Sequence, residues 1–563
     1  MPFTNTKESG LESLIVKWLV EQNHYEQGHS HDYNMEYALD TVRLLRFLKD
    51  TQPDAVEKLQ LETQPLKRAQ FFSRVRDEIT KRGIIDVLRR GVKVYPASLV
   101  LFYMTPSVNN PAAAQLHAKN IFSVTRQLHF SPDATKLSLD LCIFINGLPV
   151  ITFELKNQLT KQNVDDAVYQ YQHDRSHKEL LFQFTRCMVH FAVDDAQVKF
   201  CTRLQGKESW FLPFNKGYKD GAGNPPNLDG LMTDYLWKRI LTKEMLSRII
   251  ENYAALIEEN GRGNRQAQNT NRFLPRYHQL MAVESLLADV KAHGVGKRYL
   301  IQHSAGSGKS NSIAWLAHQL TGLEDAQGNL LVDSVIVVTD RVILDKQIRD
   351  NIRQFAQVGK LVAWAESSGD LRKAIEDGRR IIITTIEKFP YVLPEISEDH
   401  KDRHFAIIID EAHSSQNGKT AGKMNMTLSA IMADPDMDNE DKINAMCEGK
   451  KLLTNASYFA FTATPKNKTL ETFGTLVVDA YGIPILNEKG EVQHRPFHVY
   501  TMKQAIEEGF ILDVLKILHA HRQLLPAQKK SWKMTRCSTR KRRRKNSAHL
   551  WKASRLPSPK RRT

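Results

Sequence analysis

The 563-residue chain is 41% hydrophobic and 25% charged, an ordinary balance for folded protein, and its length accommodates about three to four domains. No apolar run approaches the roughly 20 residues of a membrane helix, and the first ten residues lack the basic start and apolar core of a secretory signal. The formal net charge of +16 is no argument for nucleic-acid binding by the folded part, because 17 of the 79 Lys and Arg and none of the 63 Asp and Glu lie in the last 48 residues, leaving 62 basic against 63 acidic residues before Lys516.

Residues 12–105 read as mainly helical, with Leu11, Leu14, Ile15, Trp18 and Leu19, and later Val75, Ile79, Ile84, Ile85 and Val87, at helical spacing. From Asn120 the pattern turns to strands. Two β-rich runs, 137–145 and 150–156, flank Asn146-Gly147 and predict a hairpin. It carries Asp140, Glu154 and Lys156. Glu154 and Lys156 are two apart and share a face of their strand. A three-residue turn, Asn146-Gly147-Leu148, sets Asp140 opposite Glu154, whereas a two- or four-residue turn sends Asp140 to the other face.

Two carboxylates and a lysine suit Mg²⁺-dependent phosphodiester cleavage: the acids hold the metal, the metal acidifies a water, and the lysine positions that water or stabilises developing charge. The plain alternative is a solvated charge pair on an exposed strand. Against it, both acids lie inside apolar runs, where carboxylates are rare without a reason. The segment from Asp165 predicts a supporting helix, with Gln170 on it.

Further strands are expected at 180–184, 189–193 and 198–200, followed by a Gly/Pro-rich surface loop around 221–226 and helical spacing over 236–257. The polar stretch 258–272 is expected to be a linker, closing a first domain at 1–257.

Gln279 opens the next helix, and its amide can both donate to and accept from an adenine edge. Then come an apolar strand and the loop Ser304-Ala305-Gly306-Ser307-Gly308-Lys309-Ser310. Gly306 and Gly308 allow backbone amides to face a phosphate, Lys309 reaches the outer phosphates and Ser310 reaches Mg²⁺. His303 stands where the strict pattern has Gly. Apolar runs at 334–339, 380–385, 405–410 and 458–462, separated by helical stretches, predict a parallel sheet covered on both faces. The third ends in Asp410-Glu411-Ala412-His413: Asp410 is expected to hold Mg²⁺, and Glu411 to orient or deprotonate the water that attacks the γ-phosphate. The fourth ends in Thr462-Ala463-Thr464-Pro465, hydroxyls placed to sense that phosphate.

In this order, Gln279, the 304–310 loop, Asp410 to His413 and Thr462 to Pro465 resemble superfamily 2 helicase-like motors. With Asp140, Glu154 and Lys156 upstream, the chain to about residue 515 resembles the R subunit of type I restriction-modification enzymes. Supporting matches are Phe153-Glu154-Leu155-Lys156-Asn157, Pro213-Phe214-Asn215, Gly221-Ala222-Gly223-Asn224 and the run 504–514. The resemblance implies an α/β multidomain chain: an N-terminal α+β restriction-endonuclease-like (PD-(D/E)xK) domain, then a RecA-like parallel α/β lobe at 273–478 and the opening of a second lobe at 479–515. It implies ATP and Mg²⁺ as cofactors, double-stranded DNA as substrate, and methyltransferase (M) and specificity (S) subunits as partners in a translocating endonuclease. His413, Thr462 and Thr464 are then coupling residues. The family's Gln-x-x-x-Tyr motif is carried over only as Gln170, since Asp174 stands four residues on.

After Leu515 composition breaks to an acid-free, basic stretch, 516–563. It is read as a shifted reading frame, a disordered arm or a DNA clamp, in that order of preference. A chain with so little of the second lobe is expected to bind ATP but hydrolyse it slowly, since that lobe supplies the arginines that stabilise the transition state. Two alternatives stand beside the R-subunit reading: a stand-alone superfamily 2 helicase or ATPase, and an inactive remnant that only binds ATP, DNA or partner subunits. The five cysteines, Cys142, Cys187, Cys201, Cys447 and Cys537, are scattered without paired spacing; this argues for a reducing, cytoplasmic setting and against structural zinc.

Overall fold

Two seven-stranded sheets organise the computed structural model, which describes residues 8–259, 269–339, 362–365, 367–385, 401–410, 455–487 and 490–513. In the first sheet the strands lie side by side in chain order: β1 Glu26–Gly28, β2 Phe122–His129, β3 Ser138–Ile145, β4 Leu148–Leu155, β5 Val189–Val193, β6 Val198–Cys201 and β7 Leu212–Pro213. The β1–β2 and β4–β5 pairs are parallel and the rest antiparallel. All eight residues of β4 are buried because both of its faces are covered. Leu141, Ile143, Ile151 and Phe153 pack on helices α1 Glu8–Glu21, α2 Thr41–Thr51, α3 Pro65–Arg82 and α4 Ile84–Arg90. On the other face, Cys142 and Phe144 meet Tyr171 of helix α5 Val164–His173, together with Leu181 and Phe182.

The expected hairpin forms, with a difference that matters. Ile145 pairs with Leu148, so the turn is the two residues Asn146 and Gly147, both at positive φ. By turn length alone, Asp140 would face away from Glu154. The register then shifts: Phe144 pairs with Pro149 but Ile143 with Ile151, which leaves Val150 as the extra residue of a β-bulge. Beyond it Cys142 pairs with Thr152 and Leu141 with Phe153, so the next step sets Asp140 across from Glu154. The bulge restores the face that the short turn would have lost.

Other expectations shift at their edges. Gly83, at φ 82°, divides α3 from α4 where the apolar spacing ran on to Val87. Leu180–Phe182 is a single 3₁₀ turn, not a strand. Helical structure over 236–253 gives way at Ala255–Glu259 to a strand that pairs with Asn269–Phe273, so the ends of the expected linker form a hairpin.

The second sheet is wholly parallel: β8 Arg298–His303, β9 Ser334–Thr339, β10 Val362–Trp364, β11 Ile381–Thr385, β12 Phe405–Asp410, β13 Ala456–Thr462 and β14 His498–Tyr500, in spatial order β10-β11-β9-β12-β13-β8-β14. Helices α6 Tyr277–His293 and α7 Lys309–Leu320 give Leu280, Val283, Ile313 and Trp315 to one face. Leu371, Ile375 and Phe473 cover the other. One apolar cluster runs from Leu11 to Phe461 and so joins both sheets; the described residues up to Phe510 belong to one compact unit. No helix among the described residues is long and apolar enough to cross a membrane.

Candidate active sites

The phosphate loop sits at the carboxyl end of β8, between β13 and β14, which is where open parallel sheets bind ligands. Gly306 and Gly308 adopt positive φ, 71° and 79°, and Lys309 begins α7. Lys309 is buried, and its Nζ donates to the His303 carbonyl at 3.3 Å. Ser310 is half-buried; Ala305 and Gly306 are exposed, while Ser304 and Ser307 are buried. His303 closes β8 as an ordinary strand residue, so nothing in its backbone calls for glycine. Its ring turns into the protein, Nε2 meeting His498 Nδ1 at 2.9 Å. Burial holds the imidazoles of His303 and His278 well below their usual range and His498 down to about 4, so all three are neutral beside Lys309 and Arg276.

The loop is gripped from beneath by the start of α6. Arg276 Nη2 donates to the Gly306 carbonyl at 3.0 Å, the His278 ring meets the Ser307 carbonyl at 3.1 Å, and Gln279 Nε2 donates to the Gly308 carbonyl at 3.0 Å. Gln279 Oε1 accepts from the Arg276 backbone N–H at 3.0 Å. Both ends of the amide expected at an adenine edge are therefore engaged by the protein, and Gln279 braces the loop. A Cβ on Gly308 would lie 2.5 Å from Gln279 Nε2, in a backbone conformation that side chains avoid. Gly308→Ala is expected to destabilise the fold by roughly 1–2 kcal/mol and to loosen nucleotide binding, checked by denaturant unfolding and nucleotide titration.

Asp410 ends β12, buried, one strand from the loop; Thr462 is buried opposite Gln302 of β8, and Thr464 is exposed just beyond. Glu411 and His413 lie outside the described residues.

A second set of contacts was not legible in the sequence. Tyr500, ending β14, accepts the Ser304 N–H on its carbonyl at 3.0 Å. Its hydroxyl donates to Glu508 at 2.7 Å, and Gln504 of helix α8 Met502–Glu507 donates to the same carboxylate at 2.8 Å. Glu507 in turn accepts the Ala222 N–H at 2.7 Å, and Thr501 bonds the Asp220 carbonyl. A Cβ on Gly217 would come within 2.7 Å of Gln504. Thus the Gly-rich loop of the first sheet and the run from Gln504, two separate motif matches in the sequence, are the two sides of one contact.

At the open end of the hairpin, Asp140 Oδ2 accepts the Leu155 N–H at 2.7 Å. Glu154 is fully buried. Its Oε1 takes the Arg175 Nε–H at 2.5 Å, while Oε2 is buried without a hydrogen-bond partner among the described residues. Lys156 is buried just past β4, its N–H bonded to the Val193 carbonyl at 2.8 Å. Burial, then the Asp140 charge, pushes the Glu154 carboxyl up to about 8, against the pull of Arg175 and Lys156. Between its ordinary 4.5 and about 8 the folded chain keeps a proton that the unfolded chain has lost. Stability from this group therefore falls as pH rises through that window and levels off above it. Glu154→Gln is expected to flatten this slope, read from thermal melts of both proteins between about pH 5 and 9.

Gln170 is half-buried on α5; its neighbour Tyr171 is the residue turned into the sheet. The Tyr171 hydroxyl meets Thr152 Oγ1 at 2.8 Å, and that oxygen also meets His190 Nδ1 at 2.7 Å. Among the described residues no group of three or more His, Cys, Asp or Glu is placed to hold a metal. The carboxylates of Asp140 and Glu154, with one buried oxygen orphaned, fit a divalent cation completed by water or backbone ligands.

A nucleotide-type phosphate loop on a parallel sheet, sharing a chain with a carboxylate–lysine hairpin, defines a class: a helicase-like ATPase fold joined to a nuclease-like sheet. Residues 6–209 match the family model for the type I restriction enzyme R protein N terminus, and residues 278–546 that for the SWI2/SNF2 ATPase. The chain is 25% identical over 402 residues to the type I restriction enzyme SauMSSORF170P endonuclease subunit of Staphylococcus aureus, covering 70% of this chain and 36% of that protein. To the HindI endonuclease subunit of Haemophilus influenzae it is 26% identical over 421 residues, covering 70% and 34%. Among solved structures it is similar to a fragment described as the HsdR subunit of a type I restriction enzyme from Vibrio vulnificus, at 16% identity and TM-score 0.27, covering 66% of this chain and 51% of that one. These matches support a chain similar to the R subunit of the type I restriction enzymes, and it spans about a third of the length of the curated relatives it matches.

Proposed function

We propose that this chain acts as the motor and nuclease subunit of a type I restriction system, coupling ATP-driven movement along double-stranded DNA to Mg²⁺-dependent cleavage, in complex with M and S subunits. The observation that carries the nuclease half is the bulge-corrected register that sets Asp140 across from the buried Glu154, with Lys156 two residues on. We place the division of labour at 258–272, with the nuclease before it and the motor after it.

Bound Mg²⁺ would supply an acidified water and polarise the scissile phosphate. Asp140 and Glu154 would hold it, and Lys156 would orient the attacking water or meet the charge that develops on phosphate. In the motor, the loop amides and Lys309 would receive the phosphates, and Ser310 and Asp410 the accompanying Mg²⁺. Glu411 would orient the hydrolytic water, with His413, Thr462 and Thr464 relaying phosphate occupancy. Gln279 and Arg276 keep the loop in its receiving shape.

The test is reconstitution with M and S subunits on circular DNA carrying their site. ATP-dependent cleavage is expected, no faster than the slow ATP hydrolysis anticipated from the sequence. ATP turnover without cleavage would turn the reading to a stand-alone helicase-type ATPase; neither activity would turn it to a binding subunit.

A further inference from the structure

Arg175, absent from every motif read in the sequence, follows α5 by two residues and is 4% exposed. Besides its bond to Glu154 Oε1, its Nη2 donates to the Ser138 carbonyl at 2.9 Å and its Nη1 to the Asp174 carbonyl at 3.5 Å. The guanidinium also lies over the Phe130 ring, 5.6 Å from its centroid. Ser138 opens β3, two residues before Asp140; Glu154 is next to last in β4. One planar group thus bridges the strand that bears one candidate ligand and the side chain that is the other.

The two carboxylates are anchored crosswise. Asp140 is fixed by the backbone of β4 through the Leu155 N–H, and Glu154 is tied through Arg175 to the backbone of β3. Arg175 takes only one oxygen of Glu154. Among the described residues the other is buried without a hydrogen-bond partner, a costly state for a carboxyl group unless a ligand uses it.

Building on the two-carboxylate reading above, we infer that Arg175 is the positioning residue of the metal site, a guanidinium fork that sets the spacing of Asp140 and Glu154 and leaves Glu154 Oε2 for a cation. The fork is what the site needs: a planar group can bond a carboxylate and a carbonyl in two fixed directions, whereas an ammonium supplies similar charge from a single point.

The experiment titrates Mn²⁺ into the full chain without nucleotide, followed by electron paramagnetic resonance and calorimetry, and assigns to the site the component lost in Asp140→Asn. Arg175→Gln is expected to weaken that component about 10- to 100-fold, the usual cost of losing a group that orients a ligand. Arg175→Lys, which keeps the charge and is the gentler change for folding, is expected to stay about threefold or more weaker than wild type. In the reconstituted enzyme, Arg175→Lys should raise the Mg²⁺ concentration for half-maximal cleavage while saturating Mg²⁺ restores the rate. Wild-type Mn²⁺ affinity in either folded variant, or full rescue by Lys, overturns the positioning role. Mn²⁺ binding that survives Asp140→Asn unchanged overturns instead the two-carboxylate reading beneath it.

Discussion

Lys309→Ala is expected to weaken ATP binding and slow its hydrolysis by about 10²–10³-fold, the usual effect of removing one preorganised donor from a site for developing or resident negative charge. Among the described residues the neighbouring cationic and imidazole groups are otherwise engaged or neutral. Lys309 Nζ donates to the His303 carbonyl at 3.3 Å, at the base of the loop's helix. The imidazoles of His278, His303 and His498 are held neutral by burial, and Arg276 spends a donor on the Gly306 carbonyl. Titration with a fluorescent ATP analogue and steady-state turnover provide the measurement. Undiminished binding would remove the nucleotide assignment. His303→Gly, which restores the strict loop pattern, is the informative companion: it should bind no better than wild type and lose on the order of 2–4 kcal/mol of stability through the cavity left by a buried ring.

Loss of DNA cleavage with ATP hydrolysis intact is the expected result for Asp140→Ala and Glu154→Gln in the reconstituted enzyme. Removing one of two carboxylates that hold a catalytic cation forfeits several kcal/mol of transition-state stabilisation, about 10²–10³-fold or more in cleavage rate. Glu154→Gln isolates the charge, since the amide fills the same buried space beside Arg175 and should not open a cavity. Lys156→Ala should act in the same direction. Linearisation of a circular substrate, followed beside phosphate release, separates the two activities. Cleavage unchanged in Asp140→Ala would end the nuclease assignment and leave the first sheet as a DNA- or partner-binding module.

The phosphate loop, the strands ending at Asp410 and Thr462, and the parallel character of their sheet were legible because each is written in consecutive residues. A buried parallel strand reads as an unbroken apolar run, and a phosphate loop needs its glycines and lysine at fixed spacing. The hairpin was legible for the same reason, since Asn146-Gly147 marks its turn. Its register was not. Turn length alone points Asp140 away from Glu154, and only the bulge at Val150 brings it back. Pro149 was the one local hint, because proline within a central strand is tolerated chiefly at such irregularities.

Residues that act through distant partners left no such trace. Arg175 and Tyr171 look like ordinary helix-end residues until α5 is laid on the sheet. Gln279 offers the right amide for adenine, and only the structure shows that its Oε1 also caps α6 while its Nε2 reaches the Gly308 carbonyl. The chain sequence by itself determined the class of protein and which residues are candidates for phosphate contact and metal binding, because those candidacies depend on residue type and short spacing. The tertiary structure alone decided that Asp140 lies across from Glu154, that Arg175 bridges Glu154 and the Ser138 carbonyl, and that the Gly217–Ala222 loop rests on α8. Each of those depends on a register shift or a packing contact between segments tens to hundreds of residues apart, which no local pattern encodes.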